Sequence, residues 1–560
     1  MAELITRVYG NFRGVDFRGE EINLMRSPDS MNVYKDYKET ESIRTRPELE
    51  LRESFDDTVY GIFFYYDKIK DGTFLIVHAG DKLYRCGSDK RLIYEGLRRA
   101  KSESFIYNDL LYIKDGKHYL ECDGDSAKEV EGYVPTTSIA RKPQSGGTTY
   151  EDVNMISDYR INTFLGDGEG TVFYLDSQNI DTDFVPVVTI NGVEKKGFTV
   201  DYEKGWITFE IAPAKPLTDG QDNISIKFKK TVDGYRDRIN KCTLLQVFDN
   251  RVFFSGNPEY PNVIYHCSLN DPTYCSDLDY YSEGLDTAMV TGMTTGNNVL
   301  WVFKEPSQAN TSVFYHTPTI DSEYGKIYPS THSSISTGCI GKAINFNDDI
   351  VFFSERGMEG INGDITTEQV IAHRSSLVDR KLIAEPYYRT MLLEEWNGYL
   401  LVIIRNKVYL ADSRAMFTNE NHNEYEWFYW ELGKNITCSK MLEGTLYLGT
   451  DDGVYRLIDM EADVESWWVT PLDKFKYPHK LKTTNKRGCV CEATGDVDVY
   501  AKTEKTDFEL IGEYKNITDY FVSRIKMKKF KDLQLKFHSK TRFSLETVTL
   551  ESFVGGYIKR

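Results

Sequence analysis

The chain has 560 residues, of which 40% are hydrophobic, 28% charged and 13% aromatic, and its formal net charge is −18. A length of this order allows roughly two to four domains with a sizeable core. The charge argues against non-specific nucleic-acid binding by the chain as a whole, since phosphate contacts need Lys and Arg, and no apolar run approaches the roughly 18 residues that a membrane-spanning helix requires.

The first residues, Met1 to Arg7, show no basic stretch followed by an apolar one. No export signal is expected, and folding in a cytoplasm is. The nine Cys are odd in number and lack a framework spacing, so free and mostly buried thiols are expected.

Segment 1–57 has too little apolar periodicity to form a core alone. It is expected to act as an interaction or closure element, and it is the candidate to donate a strand to the last repeat described next.

From residue 58 one pattern recurs: a pair containing turn-forming residues, then a β-branched, Leu and aromatic strand. Asp71-Gly72 precedes 74–77, Asn108-Asp109 precedes 111–113, and Asp249-Asn250 precedes 252–254. Asn297-Asn298 precedes 299–303, Asp348-Asp349 precedes 350–353, Asn397-Gly398 precedes 399–403, and Glu443-Gly444 precedes 446–448. The later steps are roughly 46 to 51 residues, near the length of a four-stranded propeller blade. Such pairs supply the positive φ that tight hairpins require. The expected fold is therefore all-β: a β-propeller of about seven blades, with its first blades in 58–143 and the others in 234–464. A short helix is expected between Ser375 and Glu385, stopped by Pro386.

The second and third occurrences lie roughly 140 residues apart, far more than one blade allows. The excess, 144–233, opens in a polar linker and continues with strand-like pieces at 187–190, 205–209 and 223–228. It is expected to be a small inserted β domain. After about Asp459 the period stops, and 465–560 reads as a C-terminal β-sandwich of common size.

Chemistry-bearing clusters are sparse. Cys489 and Cys491 share a face of a strand, and Cys267 and Cys275 flank a loop, but no second pair completes a zinc set in sequence. Asp123-Gly124-Asp125 and Asp167-Gly168-Glu169 suggest hairpin turns more than calcium loops. His78 and His118 sit in strand contexts. No Gly-x-Ser-x-Gly elbow, Walker loop or His-Glu-x-x-His occurs. No catalytic residue, cofactor or metal is expected. One charge feature stands out: 523–542 holds eight Lys or Arg and one acid, Asp532. Arg524, Lys526 and Lys528 alternate with Ile525 and Met527, which places them on one face of a strand, and Lys529 and Lys531 extend the run. Such a row is either a guard against edge pairing or a contact with an acidic subunit or passing DNA.

Three stretches resemble tailed-phage virion proteins. Asn11-Phe12-Arg13-Gly14-Val15-Asp16, then Asn23-Leu24-Met25-Arg26-Ser27-Pro28-Asp29-Ser30-Met31-Asn32-Val33, then Ile43-Arg44-Thr45-Arg46-Pro47 resemble the "Phe-x-Gly-Val-Asp … Ser-Pro-Asp … Arg-x-Arg-Pro-Gly" opening of that family, with Glu48 in place of the last Gly. Asn191-Gly192-Val193, Gly205-Trp206-Ile207-Thr208-Phe209 and Ala212-Pro213 resemble its tail modules. Trp467-Trp468-Val469-Thr470-Pro471 and Lys480-Leu481-Lys482-Thr483 look like the entry to its C-terminal sandwiches. The type resembled is the propeller protein of head-to-tail stabilisation and tail nozzles. The resemblance implies a non-enzymatic subunit of a homo-oligomeric ring in the neck or tail of a virion, partnered by portal, adaptor or other tail proteins, with phage DNA in the channel. It carries no catalytic residues over. The alternatives are a receptor- or glycan-binding tail protein, with an aromatic groove around 424–430, and a glycan-degrading propeller with paired carboxylates.

Overall fold

The computed structural model describes residues 3–19, 22–37, 42–68, 71–285, 287–307, 311–322, 325–362, 369–419, 422–459 and 463–557. The chain is 56% strand and 2% helix. It forms two compact units, one of residues 1–64, 77–80 and 333–560, the other of residues 65–76 and 81–332. Among the described residues no helix is long and apolar enough to cross a membrane.

Among the described residues, seven four-stranded sheets follow one another along the chain. They span 59–95, 103–129, 244–282, 290–332, 343–373, 392–431 and 438–458, and we number them blades 1 to 7 in that order. Within each, consecutive strands are neighbours, as in a propeller blade. Blade 7 has only three strands of its own, and Glu48–Ser54 supplies the fourth, antiparallel to Gly453–Ile458. The N-terminal segment does close the last blade. The fold is a β-propeller with a small inserted β domain and a C-terminal β-sandwich.

Turn chemistry explains why the sequence breaks into blades. In blades 2 to 7 the first two strands are joined by two residues of positive φ, as in Asn108 (46°) and Asp109 (62°), or Asn397 (48°) and Gly398 (77°). Asn, Asp and Gly tolerate that region best, and two-residue hairpins need it. In blade 5 the pair is Asn347 and Asp348, one residue earlier than Asp348-Asp349. The strand after each of these turns is mostly buried. Val299–Lys304 and Tyr399–Ile404 are buried along their whole length, because a sheet packed on both faces has no wet side to alternate with.

The expected helix at 375–385 is a single turn, Asp379–Leu382. Val378 departs from helical geometry with φ −120°, and the Ser375 hydroxyl is spent on the Asp379 carboxylate at 2.6 Å. A second short helix, Tyr235–Asn240, has no periodic signal at that length.

The inserted domain is two layers. One sheet runs in the order Ser145–Thr149, Thr136–Lys142, Tyr159–Phe164, Ile224–Lys229, Val187–Ile190, Val193–Lys195, and the other holds Val172–Tyr174, Trp206–Phe209 and Phe198–Asp201. Phe164, Phe173, Val188, Ile207, Ile226 and Phe228 fill the space between them. The sheet begins at Thr136, ahead of the expected boundary at 144. The polar linker is itself a hairpin strand and pairs back onto 138–142, a partner that polarity alone does not reveal.

The C-terminal domain turns on one long strand, Lys480–Thr503. Its first part pairs with Phe543–Tyr557 on one side and with Tyr520–Ser523 and Lys528–Phe530 on the other. Its last part pairs instead with Glu509–Ile517 and Leu533–Ser539. The exchange happens at Gly495, where φ is 92° and a Cβ would meet the Arg542 carbonyl oxygen at 2.4 Å. Only glycine fits there. Glu3–Gly10 adds a further strand against Phe543–Tyr557.

Candidate protein interface on the C-terminal sheet

The residues that carry the N-terminal resemblance are spent on internal joints. Phe12 is fully buried and stands edge-on to Trp468, with ring centroids 4.9 Å apart, a geometry that adds about 0.5–1.5 kcal/mol to the burial itself. Gly14 lies against blade 6, where a Cβ would come within 1.9 Å of the Trp427 carbonyl oxygen. Arg26 forks onto Glu426. Asn32 donates to the Glu465 carbonyl oxygen at 2.8 Å and accepts from Arg46 and from the Glu431 backbone N–H. Glu48 opens an extended strand and faces Ile458, a position that needs no glycine. The segment thus clasps blade 6, blade 7 and the C-terminal domain together.

The aromatic run at 424–430 is core. Tyr425, Trp427, Phe428, Tyr429 and Trp430 are each at most 2% exposed, so it offers no groove to a glycan. A groove of about 580 Å³ lies nearby, lined by Tyr34, Tyr37, Arg44, Trp396, Tyr399 and Arg414 among others. Its polar groups already serve one another: Arg44 pairs with Asp36 and Asp459, and Tyr37 and Arg414 with Asp412.

The other candidate chemistries are structural. Cys489 and Cys491 are buried on one face with their sulfurs 3.8 Å apart. Cys267 and Cys275 are buried as well, and burial pushes the Cys267 thiol up to about 12. Among the described residues no group of three or more His, Cys, Asp or Glu is placed to hold a metal. The Asp123 carboxylate accepts from the Asp125 and Ser126 backbone N–H groups, and Asp167 from Glu169 and Gly170. Both are turn caps. His78 meets the Gly80 carbonyl oxygen at 3.1 Å and His118 the Asp115 carboxylate at 2.9 Å.

The basic run is different, because it is left over. Ile525 is fully buried, while Arg524, Lys526 and Lys528 are exposed, so the expected alternation holds. Regular ladder pairing lapses over 524–527, however. There the Thr484 side chain takes over, donating to the Ile525 carbonyl oxygen at 2.9 Å and accepting from the Met527 N–H at 2.9 Å. Lys529 has a positive φ of 55°, and the register slips beside it. That bulge leaves Lys528 and Lys529 both exposed. Lys531 is half-buried. Its N–H donates to Glu504 at 2.8 Å and its carbonyl oxygen accepts from Lys482 at 2.5 Å. None of these five residues makes a side-chain ion pair among the described residues.

Two further cations were not legible in the run. The long strand slips register between Thr484 and Cys489, and Lys486 and Arg487, in the slipped stretch just before the Cys489–Ser523 pair, are exposed. They too lack an ion pair among the described residues. The only sequence signal for them was their own charge.

Beside the cations the same outer face carries exposed apolar side chains. Strand register aligns Val8, Thr549, Val490 and Val522 in one row. A second row runs Leu4, Phe553, Thr483 and Lys528. Val8 is 56% exposed, Leu4 48%, Val522 40% and Phe553 39%. Single exposed apolar side chains are ordinary, but contiguous ones mark contact surfaces. The same register puts Thr6, Glu551 and Glu492 on this face, so it mixes exposed apolar side chains with two acids and carries its cations on the edge strand.

No family model matches the chain, and no curated protein does. Among solved structures it is similar to BamB from Moraxella catarrhalis, at 12% identity and a TM-score of 0.31, over 73% of this chain and 97% of that one. It is similar to YCF48 bound to D1 peptide, at 8% identity and a TM-score of 0.32, over 75% and 99%. It is also similar to a glycoside hydrolase, at 7% identity and a TM-score of 0.23, over 89% and 98%. Likenesses this low carry no argument about activity or partners, and the assignment of blades rests on the sheets themselves.

Proposed function

We propose that the chain is a non-enzymatic structural subunit of a tailed-phage virion, part of a neck or tail ring through which DNA passes. The observation that carries the reading is the fate of the resemblance residues. Phe12, Gly14, Arg26, Asn32 and Arg46 are all used to lock the N-terminal segment onto blade 6, blade 7 and the C-terminal domain. Such joints suit a subunit that must hold its shape under load, and propeller blades with short protected edges suit a rigid ring component. The exposed apolar and cationic face of the C-terminal sheet supports an assembling role. Antibody labelling of purified particles tests the reading. Label at the neck or along the tail axis supports it; a particle that lacks the protein, or carries it only on peripheral fibres, contradicts it.

A further inference from the structure

The outer face of the C-terminal sheet has two properties that together select a partner. Its exposed apolar side chains would gain nothing from a nucleic-acid backbone, which offers phosphate and sugar, and Glu551 and Glu492 on the same face would repel one. Its cationic border would be repelled by another basic surface. The matching surface is an exposed apolar patch ringed by acids.

The chain carries such a patch itself, at the tip of the inserted domain. There the loop 210–222 exposes Leu217 fully (98%) and Ile211 at 82%. Glu210 and Asp219 in that loop are exposed and lack an ion pair among the described residues. The neighbouring loop brings Glu169, also exposed, and is joined to the first by the Gly168 N–H donating to the Pro213 carbonyl oxygen at 3.2 Å. Lys215 is the one cation between them. Two copies that each carry −18 repel at long range, so the pairing rests on the local match: the uncompensated cations of the basic face against the acids of this tip, with the exposed apolar side chains of the two surfaces adding to it.

We propose that the basic and apolar outer face of the C-terminal sheet docks the inserted-domain tip of a second copy of this chain. Leu217 and Ile211 cover Val8, Val490 and Val522, while Glu210, Asp219 and Glu169 face Arg524, Lys526, Lys528 and Arg487. The two surfaces differ, so the contact is head-to-tail, the kind that yields a ring when the rotation between copies closes. This deepens the ring reading above and rests on it.

The test is sedimentation velocity of the full-length protein at low and high salt. Wild type is expected to self-associate, and less so as salt rises. The double variant Lys526→Glu/Lys528→Glu should weaken association at least tenfold, as should Leu217→Asp. Glu210→Lys/Asp219→Lys should weaken it likewise, and mixed with the Lys526→Glu/Lys528→Glu protein it should restore association to within a few fold of wild type. All substituted positions are exposed, so unchanged thermal unfolding checks that each variant is folded. Association unaffected by both charge reversals overturns the contact and leaves the ring reading standing. A wild type that stays monomeric also overturns it, and the particle labelling above then decides the ring reading separately. Loss of affinity for a short DNA duplex in Lys526→Glu/Lys528→Glu, with self-association unchanged, assigns the face to nucleic acid and overturns the docking contact.

Discussion

Arg26 donates two parallel hydrogen bonds to the Glu426 carboxylate, 2.8 and 2.7 Å long, and Glu426 is fully buried in blade 6. The guanidinium also lies 4.3 Å from the Phe417 ring centroid. A bidentate pair of this kind fixes orientation as well as energy. It pins the N-terminal segment to a strand roughly 400 residues later in the chain.

Removing Arg26 leaves the buried Glu426 carboxylate with only Arg13, 3.6 Å away and more exposed. Arg26→Ala is therefore expected to cost about 3–5 kcal/mol, read as a lower midpoint in urea unfolding. Replacing both partners with apolar residues, Arg26→Met with Glu426→Leu, should recover much of that loss. A double variant as weak as Arg26→Ala would show that the pair does more than satisfy itself.

Gly14→Ala should be at least as damaging. Its φ of 116° is strained for any other residue, and the added carbon would sit 1.9 Å from the Trp427 carbonyl oxygen. The segment must lift from blade 6. Limited proteolysis should then cut within 11–35 much faster than in wild type, with blade spectra little changed.

Deleting residues 1–57 removes the fourth strand of blade 7 and bares the edge of Gly453–Ile458. Open edges recruit other strands. The truncated protein is expected to aggregate on gel filtration. A monodisperse truncation would mean that the closing strand is dispensable.

His373 lies between Glu359 (3.3 Å) and Asp379 (2.6 Å). Burial pushes its imidazole down, but hydrogen bonds to Asp379 and Glu359 outweigh it and raise it to about 10. A folded value above the unfolded 6.5 means that the contribution to stability is fully present below pH 6.5. It is lost as pH rises through about 10. Wild type should therefore lose thermal stability between pH 7 and 10 more steeply than His373→Gln, in scans at constant salt. Parallel curves would contradict the charged bridge.

The blades were legible because their signal is local. A pair such as Asn297-Asn298 supplies two positive φ values and is followed at once by a buried run, Val299–Lys304. The alternation of Arg524 to Lys528 was legible for the same reason, since period two survives wherever the chain is extended. What stayed hidden depends on distant partners. Nothing near Lys486 says that the long strand slips there, because the slip is set by pairing with Phe543–Tyr557. Nothing near Leu4 or Val8 says that they align with Phe553 and Thr549 on an outer face. The inserted sheet starts early because Thr136–Lys142 pairs in parallel with Tyr159–Phe164, a register that no tight turn announces.

The central claim, a ring subunit on the axis of a virion, is tested most directly by cryo-electron microscopy of the intact particle that carries this gene. The account predicts a ring of density at the neck or tail axis that fits a propeller with one inserted β domain, with Arg524, Lys526 and Lys528 facing a neighbouring copy. Density for this fold only on peripheral fibres, or none in the particle, would contradict it.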